Sequence, residues 1–374
     1  MEYKEAVELE KRCFAQVFGR LPLLLTKGKG SYVYDDKGRR YYDMFAGIAV
    51  SSVGHAHPKV VKAISAQAGK LMHVSNWVYS EPQLVLAKKL TGLTGMERVF
   101  LTNDGTSAVE GAFKLARKVS GKPGIISMEH SFHGRTMGAL SATWAEKYRK
   151  PFEPLVPGFK FARYDDLDSL QDAIDKDTGA VIVEPILGEG GVKVPLDGYL
   201  KGVRDITHDK GALMIVDEVQ TGFGRTGVWF DYKRAGIEPD ILVLAKGLGG
   251  GFPIGALMYS GMDFEKGQHG GTFNGSPLAC TVANTVIDII KKEKLVENSK
   301  KVGDAIKKEL EGHSIHGRGL MLGLDVEDGP KTVLELIKRG VVTIHSQNTL
   351  RMLPALNIKR REALAAVKII KEVL

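Results

Sequence analysis

Cysteine is scarce in this sequence, with Cys13 and Cys280 the only two among 374 residues. Two thiols so far apart cannot build a disulfide framework or a zinc cluster, so no metal site is predicted and a reducing compartment is expected. Long apolar runs are missing as well, since no stretch approaches the roughly 18 apolar residues of a membrane-spanning helix. The N-terminal segment MEYKEAVELEKR alternates charges where a secretory signal would be apolar. The sequence therefore predicts a cytoplasmic protein without a membrane segment.

Charge of one sign is not concentrated anywhere in the chain. The 52 Lys and Arg against 44 Asp and Glu leave a net charge of +8, but the basic residues are scattered in pairs such as Lys291-Lys292 and Arg360-Arg361. Nucleic-acid binding requires basic residues that gather on one face. We therefore interpret the surplus as solvated helix faces, with attraction for anionic small molecules or an acidic partner protein left open.

Length and patterning indicate an α/β protein of two domains. With 43% hydrophobic and 26% charged residues the chain is globular, and 374 residues exceed what one core usually serves. Short apolar runs alternate with helical segments, which favours a mostly parallel central sheet flanked by helices. The predicted strands are residues 99–102, 124–128, 180–184, 212–217, 241–245 and 256–259. We expect an N-terminal arm and part of a small α+β domain in 1–60, a large domain in 61–275, and the rest of the small domain in 276–374.

Three of the predicted strands are followed by residues suited to chemistry, and ligands bind beyond the carboxyl ends of such strands. The Gly105-Thr106 turn opens a helix and could hold a phosphate, although an ordinary helix cap by Thr106 is the favoured interpretation when the turn is taken alone. Lys246 precedes a glycine-rich segment and could form a Schiff base, or merely extend to solvent at a domain edge. Asp217 could hold a ring nitrogen protonated, as a pyridoxal electron sink requires; alone, it could equally be a metal ligand or a helix cap.

The loop after residues 124–128 belongs to the same edge of the predicted sheet. Within it, Phe132 could stack on a planar cofactor and Arg135 could hold a carboxylate through its planar guanidinium. Histidines in loops are more often surface residues than catalysts, so His130 and His133 are given no role.

Two carboxylates follow the strand at 180–184. Glu184 lies at its end and Glu189 in the loop beyond it. Because buried carboxylates usually have cationic partners, we expect Arg135 or Arg351 to pair with them.

The longest motifs are DEVQTGFGRTG at 217–227 and AKGLGGGFPI at 245–254. With them the chain resembles, from about residue 19 to residue 356, the class III aminotransferases that depend on pyridoxal 5'-phosphate and have fold type I. Among these it is most similar to the acetylornithine aminotransferases. The resemblance implies the two-domain fold expected above, bound pyridoxal phosphate, and a homodimer with shared active sites.

The resemblance also implies a role for each matching position. Lys246 would form the Schiff base and move the reacting proton, while Asp217 would pair with the pyridine nitrogen. The other cofactor-binding residues would be Gly105, Thr106, Phe132, Val219, Gln220 and, from the second subunit, Thr272. Arg135 would bind the α-carboxylate of an acylated diamino acid. Arg351 would bind glutamate or 2-oxoglutarate, and Glu189 would screen Arg351 in the other half-reaction.

The implied reaction moves the terminal amino group of N2-acetyl-L-ornithine to 2-oxoglutarate in a ping-pong mechanism of arginine biosynthesis. Ile48 stands where ornithine aminotransferases carry a tyrosine, which argues for an acylated substrate or another amine. Two alternatives stay open within the enzyme class: ornithine or lysine precursors attached to an acidic amino-group carrier protein, and 4-aminobutyrate or another ω-amine. A catalytically silent scaffold is disfavoured, because both Lys246 and Asp217 are present.

Four positions depart from the family pattern. Asp104 replaces a serine, and its charge would repel a phosphate unless it points away or caps the helix. Gly271, in the substrate pocket, lacks the hydroxyl of the usual Ser or Thr. Asn274 and Ser276 stand in place of Gly and Asn, and we interpret all four changes as tuning.

Overall fold

The computed structural model describes residues 1–374. Its N-terminal part begins with the helix Tyr3–Cys13. Three antiparallel strands follow: β1 (Leu25–Lys29), β2 (Tyr32–Asp35) and β3 (Arg40–Asp43). Asp35 shapes the turn between β2 and β3, because its Oδ1 accepts the amides of Lys37 and Arg39 at 3.0 and 2.8 Å. An Asp side chain that bonds backbone amides two and four residues on is typical of such turns.

The central sheet has seven strands in the order β4-β10-β9-β8-β7-β5-β6. Only β10 runs antiparallel to its neighbours, so the predicted mostly parallel sheet is confirmed. The carboxyl ends of β4, β5, β7, β8 and β9 consequently meet at one edge. The strands are β4 (Arg98–Thr102), β5 (Gly124–Met128), β6 (Phe159–Ala162), β7 (Thr178–Val183), β8 (Leu213–Asp217), β9 (Ile241–Leu244) and β10 (Gly255–Tyr259).

Helices cover both faces of this sheet and continue into the C-terminal part. None of them combines the length and the apolar character needed to cross a bilayer. The α-helices are Pro58–Ala68, Glu81–Thr94, Gly105–Ser120, Met137–Ser141, Glu146–Arg149, Leu167–Ala173, Tyr199–Asp209, Pro277–Lys292, Leu295–Glu309, Gly329–Lys338 and Arg360–Lys371; short 3₁₀ segments are Lys150–Phe152, Asp231–Ala235 and Lys246–Leu248.

The helix Gly105–Ser120 shows how the sequence sets its own boundaries. Its N-cap is Asp104, whose Oδ1 accepts the amide of Ser107 at 2.8 Å, and Gly121 ends it with φ of 67°. A cap of this kind stabilises a helix by about 1 kcal/mol. The alternative that Thr106 caps the helix is therefore wrong, and the charge of Asp104 is occupied in capping.

The C-terminal part contains a second, antiparallel sheet with the order β11-β12-β15-β14, formed by β11 (Ile315–Arg318), β12 (Met321–Asp325), β14 (Ile344–Ser346) and β15 (Thr349–Met352). The short strand β13 (Val341–Val342) instead pairs in parallel with β3. The two ends of the chain thus share one sheet, while the division at residues 60 and 275 stays a prediction.

A left-handed turn at Ala46–Ala49 connects these sheets to the central one. Its four residues have φ of 49°, 64°, 65° and 62°, and only one of them is glycine. Each non-glycine residue in this region costs about 1–2 kcal/mol. Asp43 offsets part of the cost, because its Oδ1 accepts the amides of Phe45 and Ala46. The turn places Val50 against the cavity described next.

Candidate active site

A cavity of about 420 Å³ opens at the carboxyl edge of the central sheet. Loops that follow β4, β5, β7, β8 and β9 form its walls, as the doubly wound topology predicts. Most of the residues predicted from the sequence line it: Gly105, Thr106, Phe132, Arg135, Glu189, Asp217, Val219, Gln220 and Lys246. Residues far apart in the chain are therefore brought to one place by the ends of neighbouring strands.

Asp217, the last residue of β8, has a hydrogen-bond partner on each carboxylate oxygen. Its Oδ2 lies 2.7 Å from Nδ1 of His133, and its Oδ1 accepts the amide of Val219 at 3.0 Å. The imidazole of His133 is buried, and its Nε2 has no partner. Because a carboxylate can only accept, Nδ1 of His133 carries the proton of this bond. The aspartate is therefore fixed in orientation at the wall of the cavity.

Lys246 follows β9 at the start of a 3₁₀ segment. Its backbone has φ of 40°, a left-handed conformation that is rare for a side chain of this size and is found mostly at functional sites. Burial lowers the pKa of its amine. The negative charge of Glu189 opposes this effect, and the positive charge of Arg351 lowers the pKa further. A lysine with a lowered pKa supplies the neutral amine that attacks a carbonyl.

The first turn of the helix Gly105–Ser120 faces the cavity. Asp104 binds the amide of Ser107, which leaves the amides of Gly105 and Thr106 at the positive end of the helix without an intrahelical partner. A Cβ at Gly105 would lie 3.0 Å from the Val219 side chain, so glycine permits the close approach here. Such a turn suits a phosphate.

Two walls of the cavity are formed by half-buried apolar side chains, Phe132 and Val219. The backbone of each is fixed by a carboxylate: the amide of Phe132 donates to Oε1 of Glu184 at 3.0 Å, and that of Val219 to Asp217. An aromatic and an aliphatic side chain held in this way can enclose a planar ring.

Arg351 does not line the cavity itself; it is buried behind two residues that do, Glu189 and Gln220, and forms an ion pair with Glu189. Nη1 of Arg351 lies 2.8 Å from Oε1 of Glu189, and Nη2 donates to Oε1 of Gln220 at 3.0 Å. The guanidinium is buried and its Nε has no partner, whereas Glu189 is partly exposed. Burial opposes the ionisation of Glu189, but Arg351 and Lys246 outweigh it and lower the pKa of that carboxyl. Arg351 is a buried cation covered by a carboxylate that faces solvent.

Arg135 is the second arginine at the cavity, and its environment is different. It has no ion pair, and its guanidinium carbon lies 3.6 Å from the centre of the Tyr148 ring and 5.4 Å from that of Phe132. Stacking on aromatic faces orients a guanidinium and leaves its N–H donors free. One arginine thus lines the cavity and is open to a carboxylate, and the other lies behind Glu189 and is already paired.

Glu184 pairs with neither arginine, contrary to the expectation from the sequence. Its Oε1 and Oε2 accept the backbone amides of Phe132 and Gly188, at 3.0 and 3.1 Å. Burial raises its pKa to about 7; the charge of His133 works against this rise, and the charge of Asp217 adds to it. Backbone amides meet the hydrogen-bonding need of a buried carboxyl without supplying a charge.

Gly271 and Thr272 lie outside this cavity, in a separate one of about 990 Å³ beside Trp77 and Leu84. A Cβ at Gly271 would lie 2.6 Å from Nδ2 of Asn274, whose Oδ1 accepts a hydrogen bond from Asn103. The two departures from the family pattern are therefore sterically linked, because the side chain of Asn274 fills the space that a larger residue at 271 would need.

His133 is the site residue that sequence reasoning missed. Its position in the loop after β5, at the edge where Asp217 ends β8, was the available signal. A histidine and a carboxylate at the ends of two strands of one sheet are candidates for a hydrogen bond. The pairing itself depends on strand order, because β7 lies between β5 and β8.

Comparisons with known proteins identify the family of the chain. The sequence model of the family "Aminotransferase class-III" matches residues 14–374. The acetylornithine aminotransferase of Methanosarcina mazei is 47% identical over 99% of this chain and 96% of its own length. The structure of the ornithine aminotransferase from Toxoplasma gondii, whose active site holds pyridoxal phosphate at partial occupancy, superimposes with a TM-score of 0.95 at 34% identity, covering 99% of this chain and 93% of that one.

A solved acetylornithine aminotransferase from Elizabethkingia anophelis is similar to the same extent in sequence. It is 34% identical, has a TM-score of 0.90, and covers 100% of this chain and 98% of its own. A family match over nearly the whole chain, together with relatives of this identity and coverage, settles the membership. The chain belongs to the class III aminotransferases.

Proposed function

We propose that the chain transfers the terminal amino group of N2-acetyl-L-ornithine to 2-oxoglutarate, giving N-acetyl-L-glutamate 5-semialdehyde and L-glutamate. The observation that carries the proposal is the pair of unlike arginines at one cavity: Arg135 has no acidic partner, and Arg351 is paired with Glu189. One site can then accept a monocarboxylate with a distal amine and afterwards a dicarboxylate. The name of the Methanosarcina mazei relative supports this choice of substrate.

The residues present fit pyridoxal phosphate, the cofactor of class III aminotransferases. The amides of Gly105 and Thr106 would hold the phosphate, while Phe132 and Val219 would enclose the ring. Gln220 would lie near the ring hydroxyl. When bound, the cofactor supplies a carbonyl that takes up and returns an amino group and a ring that accepts electrons.

Asp217 and Lys246 would do the proton chemistry. Asp217 would hold a proton on the ring nitrogen, and His133 orients that carboxylate by donating from Nδ1 to Oδ2. Lys246, whose amine has a lowered pKa and no ion pair in the cavity, accepts the proton from the substrate carbon at Nζ and returns it.

Arg135 and Arg351 would position the two substrates in turn. The fork of Arg135 binds the α-carboxylate of acetylornithine, which directs the distal amine to the floor of the cavity. During this half-reaction Glu189 covers Arg351 and removes a competing carboxylate site. For 2-oxoglutarate, the Glu189 side chain turns away and Arg351 binds a carboxylate of this substrate.

Completion of the site by a second copy of the chain is part of the proposal. Thr272 is exposed at a cavity that also borders Trp77, a residue 95% exposed, and Phe273 beside it is 63% exposed. Large apolar side chains grouped on a surface mark an interaction site. We propose a homodimer in which Thr272 reaches the phosphate of the partner subunit. The two free cysteines favour the reducing cytoplasm as its compartment.

The decisive experiment compares kcat/KM for N2-acetylornithine, ornithine, 4-aminobutyrate and a carrier-linked amine, with 2-oxoglutarate as acceptor. We expect the acetylated substrate to be used best. A higher kcat/KM for free ornithine, 4-aminobutyrate or the carrier-linked amine would replace the proposed substrate. Purified protein that takes up no pyridoxal phosphate would contradict the aminotransferase activity itself.

A further inference from the structure

The loop that carries Glu189 is closed on itself at its base. Leu187 and Lys193 exchange two backbone hydrogen bonds of 3.1 Å, so residues 188–192 form a tight turn. Within it Gly191 has φ of 90° and Val192, a β-branched residue, has φ of 58°. A β-branched residue in this conformation persists only where its surroundings hold it.

The structure assigns that holding role to two side chains of the C-terminal sheet. Oγ of Ser346, in β14, donates to the carbonyl oxygen of Glu189 itself. Nδ1 of His316, in β11, lies 3.1 Å from the carbonyl oxygen of Val192, and its Nε2 lies 3.2 Å from Oδ1 of Asp325. Because a carbonyl can only accept, Nδ1 of His316 carries the proton of that bond. The loop is therefore anchored at the switching residue and at its strained end.

Arg351 belongs to the same sheet as both anchors. It lies in β15, where it is opposite Ile344 of β14, two residues before Ser346. The hydroxyl of Thr343 further fixes β15 by donating to the Arg351 carbonyl at 2.6 Å. One sheet thus contacts the backbone of Glu189 through Ser346 and carries the guanidinium that Glu189 faces.

We propose that Ser346 and His316 are positioning residues for the substrate exchange: they pin the Glu189 backbone so that Arg351 is covered and uncovered by side-chain rotation alone. This inference rests on the proposed roles of Glu189 and Arg351. A loop free to shift would let the carboxylate drift from Arg351, and the amino donor would then meet a second, uncovered carboxylate site. The donor half-reaction is therefore the one that depends on the anchors.

Kinetics of the Ser346→Ala enzyme test the proposal, with kcat/KM measured separately for the amino donor and for 2-oxoglutarate. Loss of one hydrogen bond should lower kcat/KM for N2-acetylornithine by about threefold to tenfold. For 2-oxoglutarate, kcat/KM should stay within about twofold, and this acceptor should inhibit the donor half-reaction at lower concentration. Ser346→Thr keeps the hydroxyl and should restore the wild-type ratio.

His316→Gln and His316→Leu extend the test to the second anchor. Gln retains an N–H donor for the Val192 carbonyl, so only the Leu variant should shift the ratio of the two kcat/KM values in the manner of Ser346→Ala. The control is Ser260→Ala, which removes a serine that accepts the amide of Glu97 at the end of β10. It should leave both values unchanged.

Equal loss of both kcat/KM values in Ser346→Ala, or no change in either, would overturn the proposal. Failure of the proposed function would look different: the wild-type enzyme itself would not use N2-acetylornithine. The ratio would then be measured with the best donor found, and an unchanged ratio in Ser346→Ala would still overturn the anchoring role.

Discussion

The two ends of the cavity hold their carboxylates in opposite ways. Asp217 is 4% exposed, and both of its oxygens are bonded within the chain, to His133 and to an amide. Glu189 is partly exposed and has one side-chain partner, Arg351. The arrangement at Asp217 is fixed, because neither the carboxylate nor the imidazole can move away without leaving a buried partner unpaired. The second can open, because the departing carboxylate is received by water.

Two glutamates separated by only five positions illustrate the same contrast. Burial raises the pKa of Glu184 to about 7, and its partners are neutral amides. The pKa of Glu189 is lowered, because the charges of Arg351 and Lys246 outweigh its burial. The direction of the pKa shift of a buried glutamate therefore depends on whether cations face it, and not on the residue type. The end of the cavity at Asp217 is therefore preorganised, whereas the end at Glu189 can open.

The largest loss of activity is expected from removing Lys246, which lines the cavity together with Asp217. In Lys246→Ala the group that moves the proton at the substrate carbon is lost, and we expect kcat to fall by about a thousandfold or more. The visible absorbance of the cofactor-loaded enzyme should change at the same time. Lys176→Ala, at an exposed lysine outside this cavity, is the control. Activity of Lys246→Ala within tenfold of the wild type would contradict its role.

The Asp217–His133 pair gives the next largest effect. Asp217→Asn removes the charge that holds a proton on the ring nitrogen, and kcat should fall by about a hundredfold or more. His133→Asn leaves the Asp217 carboxyl in place but less well oriented, so a loss of about tenfold is expected. Steady-state turnover with saturating cofactor separates the two. Equal losses would mean that the histidine does more than orient the carboxylate.

Replacing each of the two arginines by alanine should test the end of the cavity where the Glu189 carboxylate can separate from Arg351. Arg351→Ala should lower kcat/KM for 2-oxoglutarate by about 10- to 100-fold and affect acetylornithine much less, because Glu189 covers that arginine in the donor half-reaction. Arg135→Ala should do the reverse and should weaken an α-carboxylated amine far more than an uncharged one. Parallel losses for both substrates in either variant would contradict the assignment of one arginine to each.

Most of the central sheet could be predicted from the sequence, because its strands are uninterrupted apolar runs. The prediction missed β6, Phe159–Ala162. This strand is short, contains an exposed lysine, and lies at the sheet edge, where it pairs only with β5. Edge strands need bury only part of their surface, so their pattern is weak.

The cofactor end of the site was predicted better than the details of its support. Lys246 and Asp217 are conspicuous because each directly follows an apolar strand. By contrast, the bonds of His133 to Asp217 and of Ser346 to Glu189 link residues 84 and 157 positions apart. Such partners are chosen by strand order and loop closure, which no local pattern encodes. The cap by Asp104 could have been predicted, since aspartate is favoured over threonine there.

Glu218 extends the comparison of the cavity carboxylates to the stability of the fold, and replacing it has the smallest effect predicted for any of these variants. Next to Asp217 but fully buried, it accepts hydrogen bonds from Thr221 and the amide of Tyr232 at 2.7 Å, and burial raises its pKa to about 8, helped by Asp231. A carboxyl with a raised pKa binds its proton more tightly in the folded state, so its contribution to stability is lost as the pH rises from about 4.5 to 8. Glu218→Gln should therefore raise Tm at pH 8.5 by about 2 °C or more and change it less at pH 6. Thermal unfolding of both proteins at the two pH values measures this difference, and a larger gain at pH 6 would show that the carboxyl is ionised in the fold.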